Sequence, residues 1–330
     1  MNALTENRTE SRKHVFRFIS TYGSLIGMIS ILIMFELIDN RFMHPSNLIG
    51  VLNSSSILIV MSIAMMVVMS VRGIDLSVAQ VADASGVIAA MMIINKQPVW
   101  LAIAAAIGFG LLIGLVNGLL MSYLGIPAII GTLGMMFVIR SVELTLTNGA
   151  QPQILFTLPP KLTSVFFKIG QGSIGPVPML IVICFVIALI MYLVKDRSIL
   201  GRHIDAVQGN VRTSFLSSVS IRKVFGAAFV ISGLLASFAG IMLVSRSGNA
   251  VPRGVETYLT DCFVAVYIGT LVSKGRKFNL IGTVIGALFV GLLSNFFTLQ
   301  SLGAASKNIF NGVFIITAVT LGTIRQKRKS

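Results

Sequence analysis

Long apolar runs separated by short polar breaks make up most of this chain. A helix needs about 20 mostly apolar residues to cross a bilayer. The runs predict ten such spans, at roughly 20–38, 50–71, 78–95, 98–122, 126–147, 178–194, 224–245, 258–272, 279–299 and 307–324. The segment 258–272 is the shortest and carries Asp261. Asn95-Lys96-Gln97-Pro98 divides two neighbouring runs as a tight turn ending in a helix breaker. The first run reads as a retained helix, because it is long enough to span and no small-residue cleavage site follows it. The predicted fold is all-α, a polytopic transmembrane helical bundle of about ten spans. Two stretches interrupt it: 148–177, rich in Pro and Gly, and the polar segment 195–223. Residues 1–19 and 325–330 read as cytoplasmic tails, which leaves 20–324 as one transmembrane domain.

Composition agrees with the pattern. Of the 330 residues, 55% are hydrophobic and 11% charged, with a mean hydropathy of +0.90. A soluble domain carries about 25% charged residues. Too few polar groups remain to coat a water-facing surface. The net charge of +15 comes in short clusters between apolar runs, with no basic stripe interleaved with aromatics. That distribution excludes nucleic acid as a partner and fits membrane orientation instead. With the N-terminus inside and ten alternating spans, 18 of the 26 Lys and Arg residues fall on the cytoplasmic side and eight on the other. Both termini are therefore expected in the cytoplasm, and 148–177 outside.

The chain offers little chemistry of its own. Cys184 and Cys262 sit inside apolar runs, and His14, His44 and His203 are isolated, so no metal-ligand spacing appears. No Gly-x-x-x-x-Gly-Lys-Ser/Thr phosphate loop is present, so any ATP that drives this protein is used by a partner subunit. The chain is expected to bind no cofactor and to be no enzyme. Gly110, Gly114 and Gly118 recur at four-residue spacing, as do Gly282 and Gly286. Such spacing puts small residues on one helix face and lets backbones approach.

Ionisable residues at membrane depth usually face a cavity or a partner. Asp83, Arg140, Glu143 and Asp261 are the candidates. Arg140 and Glu143, three apart, are placed to pair on one helix face. Asp83 reads as a pathway-lining group or the cap of a broken helix. Asp261, in the weakest span, reads as near the outer headgroups. Asp75 reads as a polar turn residue that caps the following helix. The 195–223 segment is long enough for a short helix lying across the membrane surface, with Gly201 to turn the chain and Arg202 as a charged donor suited to an acidic groove.

Several motifs together resemble a known family. Gly73-Ile74-Asp75-Leu76-Ser77-Val78 follows the second run, and Asn117-Gly118 closes the fourth. Thr132-Leu133-Gly134, Arg140 and Thr147-Asn148-Gly149 come next, then Gly201-Arg202-His203-Ile204 with Gly209-Asn210. Ser232-Gly233-Leu234-Leu235-Ala236 and Gly282-Thr283 complete the series. In this order and spacing, over about residues 45–325, the chain resembles the sugar-type permeases of ATP-binding-cassette importers, those of the ribose, arabinose, galactose, xylose and autoinducer-2 uptake systems. The resemblance implies a multi-pass protein of the bacterial inner membrane that forms the translocation pathway with a second permease copy or paralogue. It implies two further partners, cytoplasmic ATPase subunits and a periplasmic solute-binding protein. It implies that Gly201, Arg202 and Gly209 belong to the loop that docks into the ATPase, and that Gly73, Asp75 and Ser77 form a structural signature near the cytoplasmic mouth. The sequence departs from the family at Gln208, Leu259, Ile268-Gly269 and Ser273-Lys274-Gly275-Arg276, and at Asp83 and Glu143, where apolar or small residues are usual. These departures leave the solute open. The competing expectation is a self-sufficient ion-coupled carrier, against which stands the lack of a carboxylate chain along one span or of an inverted pair of broken helices.

Overall fold

The computed structural model describes residues 25–273, 277–303, 305–313 and 316. The tails, Lys274, Arg276 and the end of the last predicted run lie outside these residues. The helices are α1 (Leu25–Ile38), α2 (Pro45–Ser70), α3 (Val78–Ile94), α4 (Val99–Ser122), α5 (Ala128–Leu146), α6 (Pro160–Gln171), α7 (Met179–Tyr192), α8 (Ile199–Gly209), α9 (Val211–Leu216), α10 (Ile221–Ser247), α11 (Glu256–Val272) and α12 (Leu280–Leu299). A last helix, α13, begins at 305. Among the described residues, six helices are long and apolar enough to cross a membrane: α2, α4, α5, α7 with its π-helical extension to Arg197, α10 and α12. α1 and α3 are shorter apolar helices, and α11 has 17 residues. The eight predicted runs from 50–71 to 279–299 each coincide with a helix, and the described parts of the first and last runs are helical; the protein is an all-α, multi-pass membrane protein.

Proline sets many of the helix starts. Pro98, Pro127, Pro159 and Pro178 occupy the position before α4, α5, α6 and α7, where an extended backbone and a missing N–H cost nothing. Two helices form the axis of the bundle. The apolar stretches of α2 and α10 are 83% and 67% buried, against 17% for α5 and 28% for α4 and α7. The first pair is thus the core, and the others turn apolar faces outward. Three hydroxyls of α2, those of Ser54, Ser56 and Ser70, bond back to their own helix, Ser70 to the Met66 carbonyl at 2.8 Å. In a bilayer core no water is available to satisfy them otherwise.

The glycine spacing works as packing. Gly110, Gly114 and Gly118 on α4 face Gly233, Phe229 and Gly226 on α10, and a Cβ on Gly114 would lie 2.6 Å from the Phe229 carbonyl oxygen. Gly282 on α12 meets Gly269 on α11 in the same way, where a Cβ on Gly269 would lie 2.6 Å from the Gly282 carbonyl carbon. Close backbone approach of this kind needs small residues.

The 148–177 stretch is more ordered than a loop. It contains α6 and two short antiparallel ladders: β1 (Gln153–Ile154) with β4 (Asn249–Ala250), and β2 (Ser173–Ile174) with β3 (Val177–Pro178). α6 buries Thr163, Phe166 and Gly170 against the bundle. Its 12 residues fall short of a span, so the hydropathy pattern passes over it.

Candidate functional site

Two polar regions stand out in an apolar molecule. The first lies at the end of the bundle that carries Arg72 and the 195–223 segment. α2 ends in a paired cap: the Gly73 amide donates to the Val68 carbonyl and the Arg72 amide to the Met69 carbonyl, both at 3.0 Å. The residue after such a helix end takes the left-handed conformation and is usually glycine. Here it is Arg72, at φ 64°.

The turn then delivers Asp75 into the protein. Asp75 Oδ1 accepts the Ser77 amide at 2.9 Å and the Ser77 hydroxyl at 2.6 Å. Its Oδ2 accepts the Ser232 hydroxyl of α10 at 2.8 Å. Asn117 of α4 donates to Ser77 Oγ at 2.9 Å. Thr132 of α5 accepts the Leu76 amide at 3.1 Å and sits 3.1 Å from the Ile74 carbonyl oxygen. Asp75 therefore does hold the start of α3, as a turn residue would, and it ties α10 to that start, while Ser77 brings in α4 and the turn backbone brings in α5. Four motifs scattered over nearly half of the chain put their polar members at one point. Sequence order gave no sign that they meet.

The 195–223 segment folds as α8 and α9. Ser198 caps α8 by accepting the Gly201 amide at 3.1 Å. Asn210 caps α9 by accepting the amides of Arg212 and Thr213 at 2.9 and 3.1 Å. α8 buries Gly201, Ile204 and Val207 on one side and exposes Arg202 and Asp205. A Cβ on Gly201 would lie 2.7 Å from the Val194 carbonyl oxygen, so this glycine sets how tightly α8 folds back on α7. Buried Lys195 pairs with Asp205 and holds the same corner. Arg202 is free to meet another molecule's surface, whereas Gly201 is enclosed. Gly209, in open space, ends α8. The Arg72 guanidinium donates to the Gly209 and Gln208 carbonyls at 3.1 and 3.3 Å.

The second region lies further along α3, on its second turn, and at the far end of α5. Asp83 and Glu143 are buried on helices that pack together, and the Arg253 backbone amide points towards both. Yet Asp83 Oδ2 and both Glu143 carboxylate oxygens receive no hydrogen bond. Asp83 caps no helix; it lies inside α3. The expected Arg140–Glu143 pair does not form. Arg140 reaches instead towards Glu256 on the first turn of α11, 3.7 Å away, and Glu256 also accepts Arg253 Nε at 2.9 Å. Three-residue spacing left both partners on one side of α5, but Glu143 turns into the bundle and Arg140 outward.

Asp261 is enclosed by protein. It is buried on α11 and accepts Lys307 Nζ at 2.6 Å and Asn311 Nδ2 at 2.7 Å, both from α13. Lys307, Asn311, Glu256 and Arg72 escaped sequence reading because each acts through a partner distant in the chain.

Comparison with known proteins identifies the setting of these residues. Residues 47–319 match the family described as branched-chain amino acid transport system / permease component. The ribose import permease protein RbsC of Haemophilus influenzae is 30% identical over 317 residues, covering 96% of this chain and 97% of the relative. RbsC of Escherichia coli K12 is 31% identical over 303 residues, covering 92% and 94%. The D-allose transport system permease protein AlsC of the same strain is 27% identical over 322 residues, covering 96% and 97%. No solved structure matches significantly. The chain belongs to this family of transport-system permease components, alongside the ribose and allose permeases.

Proposed function

We propose that this chain is the translocation-pathway subunit of an ATP-driven importer that carries a sugar or sugar-like solute across the bacterial inner membrane. The observation that carries the reading is the near-full-length likeness to ribose import permeases. The lack of a phosphate loop then puts ATP hydrolysis in separate cytoplasmic subunits, with a periplasmic binding protein delivering the solute and a second permease copy or paralogue completing the pathway. In this reading the chain has ten spans with both termini inside, and the α8–α9 corner and the Arg72 turn lie at the cytoplasmic face. Exposed Arg202 is then a docking residue for the ATPase, Gly201 fixes the angle of α8, and Gly209 ends it. The chain supplies a shaped path and no covalent chemistry. Specificity resides largely in the binding protein, and movement of α8 on ATP binding alternates the access.

Reconstitution tests the reading. Proteoliposomes holding this chain alone are expected to accumulate no solute, and accumulation there would overturn the proposal. Arg202→Glu is expected to insert and fold normally but to lose the ATPase subunits in a pull-down. Normal ATPase assembly of that variant would remove Arg202 from the docking surface. The bare carboxylate oxygens, Asp83 Oδ2 and both of Glu143, favour one alternative, an ion-coupled carrier, since buried charge often marks an ion path. That alternative requires uptake that collapses with an uncoupler and survives ATP depletion.

A further inference from the structure

We propose that Arg72 is a positioning residue that ties the ATPase-docking helix to the buried Asp75 junction, so that motion of α8 reaches α3, α4, α5 and α10 through its guanidinium. The inference rests on the reading of α8 as the ATPase-docking element. Three observations carry it.

The first is the conformation of Arg72. It occupies the left-handed position of a helix-ending motif at φ 64°, where glycine is the unstrained choice. The backbone gains nothing from arginine there, so the side chain must supply the reason. The second is where that side chain goes. It donates to the carbonyls of Gln208 and Gly209 at 3.3 and 3.1 Å. These are the last carbonyls of α8, which lack partners within their own helix and carry its negative dipole end. A guanidinium is suited to that position, because it is always charged and one terminal nitrogen, Nη2, donates to both carbonyls.

The third is what lies on the other side. Arg72 is followed directly by the turn whose Ile74, Asp75, Leu76 and Ser77 bond to Thr132, Ser232 and Asn117. Asp75 is buried with both oxygens occupied, so the turn cannot shift without moving its partners. Gly73 leaves no slack, since a Cβ there would lie 2.9 Å from the Val68 side chain. Gln208 adds a second tie, from its side chain to the Phe278 carbonyl ahead of α12 at 3.3 Å. The end of α8 is thus held to both halves of the bundle, and Arg72 is its link to the half that contains the Asp75 junction.

The decisive variant is Arg72→Gly. It removes the guanidinium and relieves the left-handed backbone, so the protein is expected to insert and melt as the parent does or slightly higher. The measurement uses the complete complex of permease, ATPase and binding protein, with Val251→Cys as reporter at the opposite end. Val251 is exposed, and native Cys184 and Cys262 are buried. The readout is the ATP-induced change in labelling of that cysteine by an impermeant maleimide, which needs no transported solute. Arg72→Gly is expected to shrink that change about tenfold, the factor that corresponds to one charge-assisted hydrogen bond, while the ATPase stays bound. Arg72→Lys, which keeps a donor, is expected to restore at least half of it.

An unchanged ATP response in Arg72→Gly would overturn the proposal. So would loss of the ATPase from that variant, which would make Arg72 part of the docking surface, and so would a parent complex whose labelling ignores ATP. The two readings separate through Arg202→Glu. If that variant keeps its ATPase, the assignment of α8 has failed. If it loses the ATPase while Arg72→Gly responds normally, only the role of Arg72 has.

Discussion

Asp75 and Glu143 are almost equally hidden, at 2% and 1% exposure, and their surroundings are opposite. Asp75 has donors on both oxygens, drawn from its own turn and from α10. Glu143 has none, and neighbouring Asp83 leaves one oxygen bare. Burying a carboxylate without donors costs several kcal/mol in principle. A protein that meets this demand at one site and leaves it unmet at another separates two kinds of polar position. The first holds the fold together. The second persists against the interest of stability.

The comparison predicts opposite responses to the same chemical change. Asp75→Ala leaves the Ser232 hydroxyl and the Ser77 amide and hydroxyl without their acceptor. It is expected to lower stability by about 3 kcal/mol or more, read as a fall in melting temperature and in membrane yield. Asp75→Asn keeps one acceptor oxygen and is expected to lose about half as much. A parent-like melt for Asp75→Ala would break the comparison at its stronger end.

Lys307→Met should come next. It leaves the Asp261 carboxylate buried with Asn311 as its remaining partner. Breaking a buried pair from one side costs about 3 kcal/mol at most sites. The Lys307 side chain is 24% exposed, so about 2 kcal/mol is expected here. The double variant Asp261→Asn with Lys307→Met is expected to recover most of that loss, and a loss that simply adds would show the two residues to be independent.

Glu143→Gln should do the reverse. With no hydrogen bond to lose, replacing the charge removes a desolvation cost, and the melting temperature is expected to hold or rise by a few degrees, equivalent to about 1 kcal/mol. Uptake by the reconstituted importer is the second readout. A variant that melts higher and transports more slowly would assign Glu143 to the path. A clear fall in melting temperature would mean that Glu143 has donors as Asp75 does, and the contrast would vanish.

Much of the scaffold is legible in the sequence, because hydropathy and glycine spacing follow from the solvent. A lipid-facing helix must be apolar over its length, and two backbones can meet only where side chains are absent. That is why Gly110 and Gly114 announce the α4–α10 contact. The amphipathic α6 was missed because 12 residues with a polar face do not resemble a span. The site was legible only in pieces. Asp75, Asn117, Thr132 and Ser232 each lie in a recognisable motif, but nothing local says that their side chains converge. Arg140 and Glu143 show the opposite failure: their spacing predicts a pair, and the tertiary structure gives Arg140 a different partner. Backbone periodicity constrains which face a residue occupies. It does not fix which long-range partner the side chain finds there.

The smallest predicted effect comes from a third carboxylate, one that is well satisfied but whose main partner, Arg41, is exposed. Asp39, in the turn between α1 and α2, accepts the Arg41 side chain at 2.9 and 2.7 Å, the Arg41 amide at 3.0 Å and Gln300 at 3.1 Å. The Arg41 hydrogen bonds hold its carboxyl down to about 2. A depressed value stabilises the fold above the ordinary carboxylate range, and that contribution is lost only as pH falls through about 2. Between pH 5 and 8 the turn is therefore expected to add no pH dependence to the melting temperature. Arg41→Ala is expected to shift it by about 1 °C or less, because an exposed pair gains little in water. By hydrogen-bond inventory alone Asp39 is as well served as Asp75, so the two sites differ chiefly in the exposure of their partners: the Arg41 side chain is 67% exposed, whereas Ser232 is wholly buried. If Arg41→Ala destabilised the protein as much as Lys307→Met, satisfaction rather than burial would set the scale. The division between Asp75 and Glu143 would then have to be redrawn around hydrogen bonds alone.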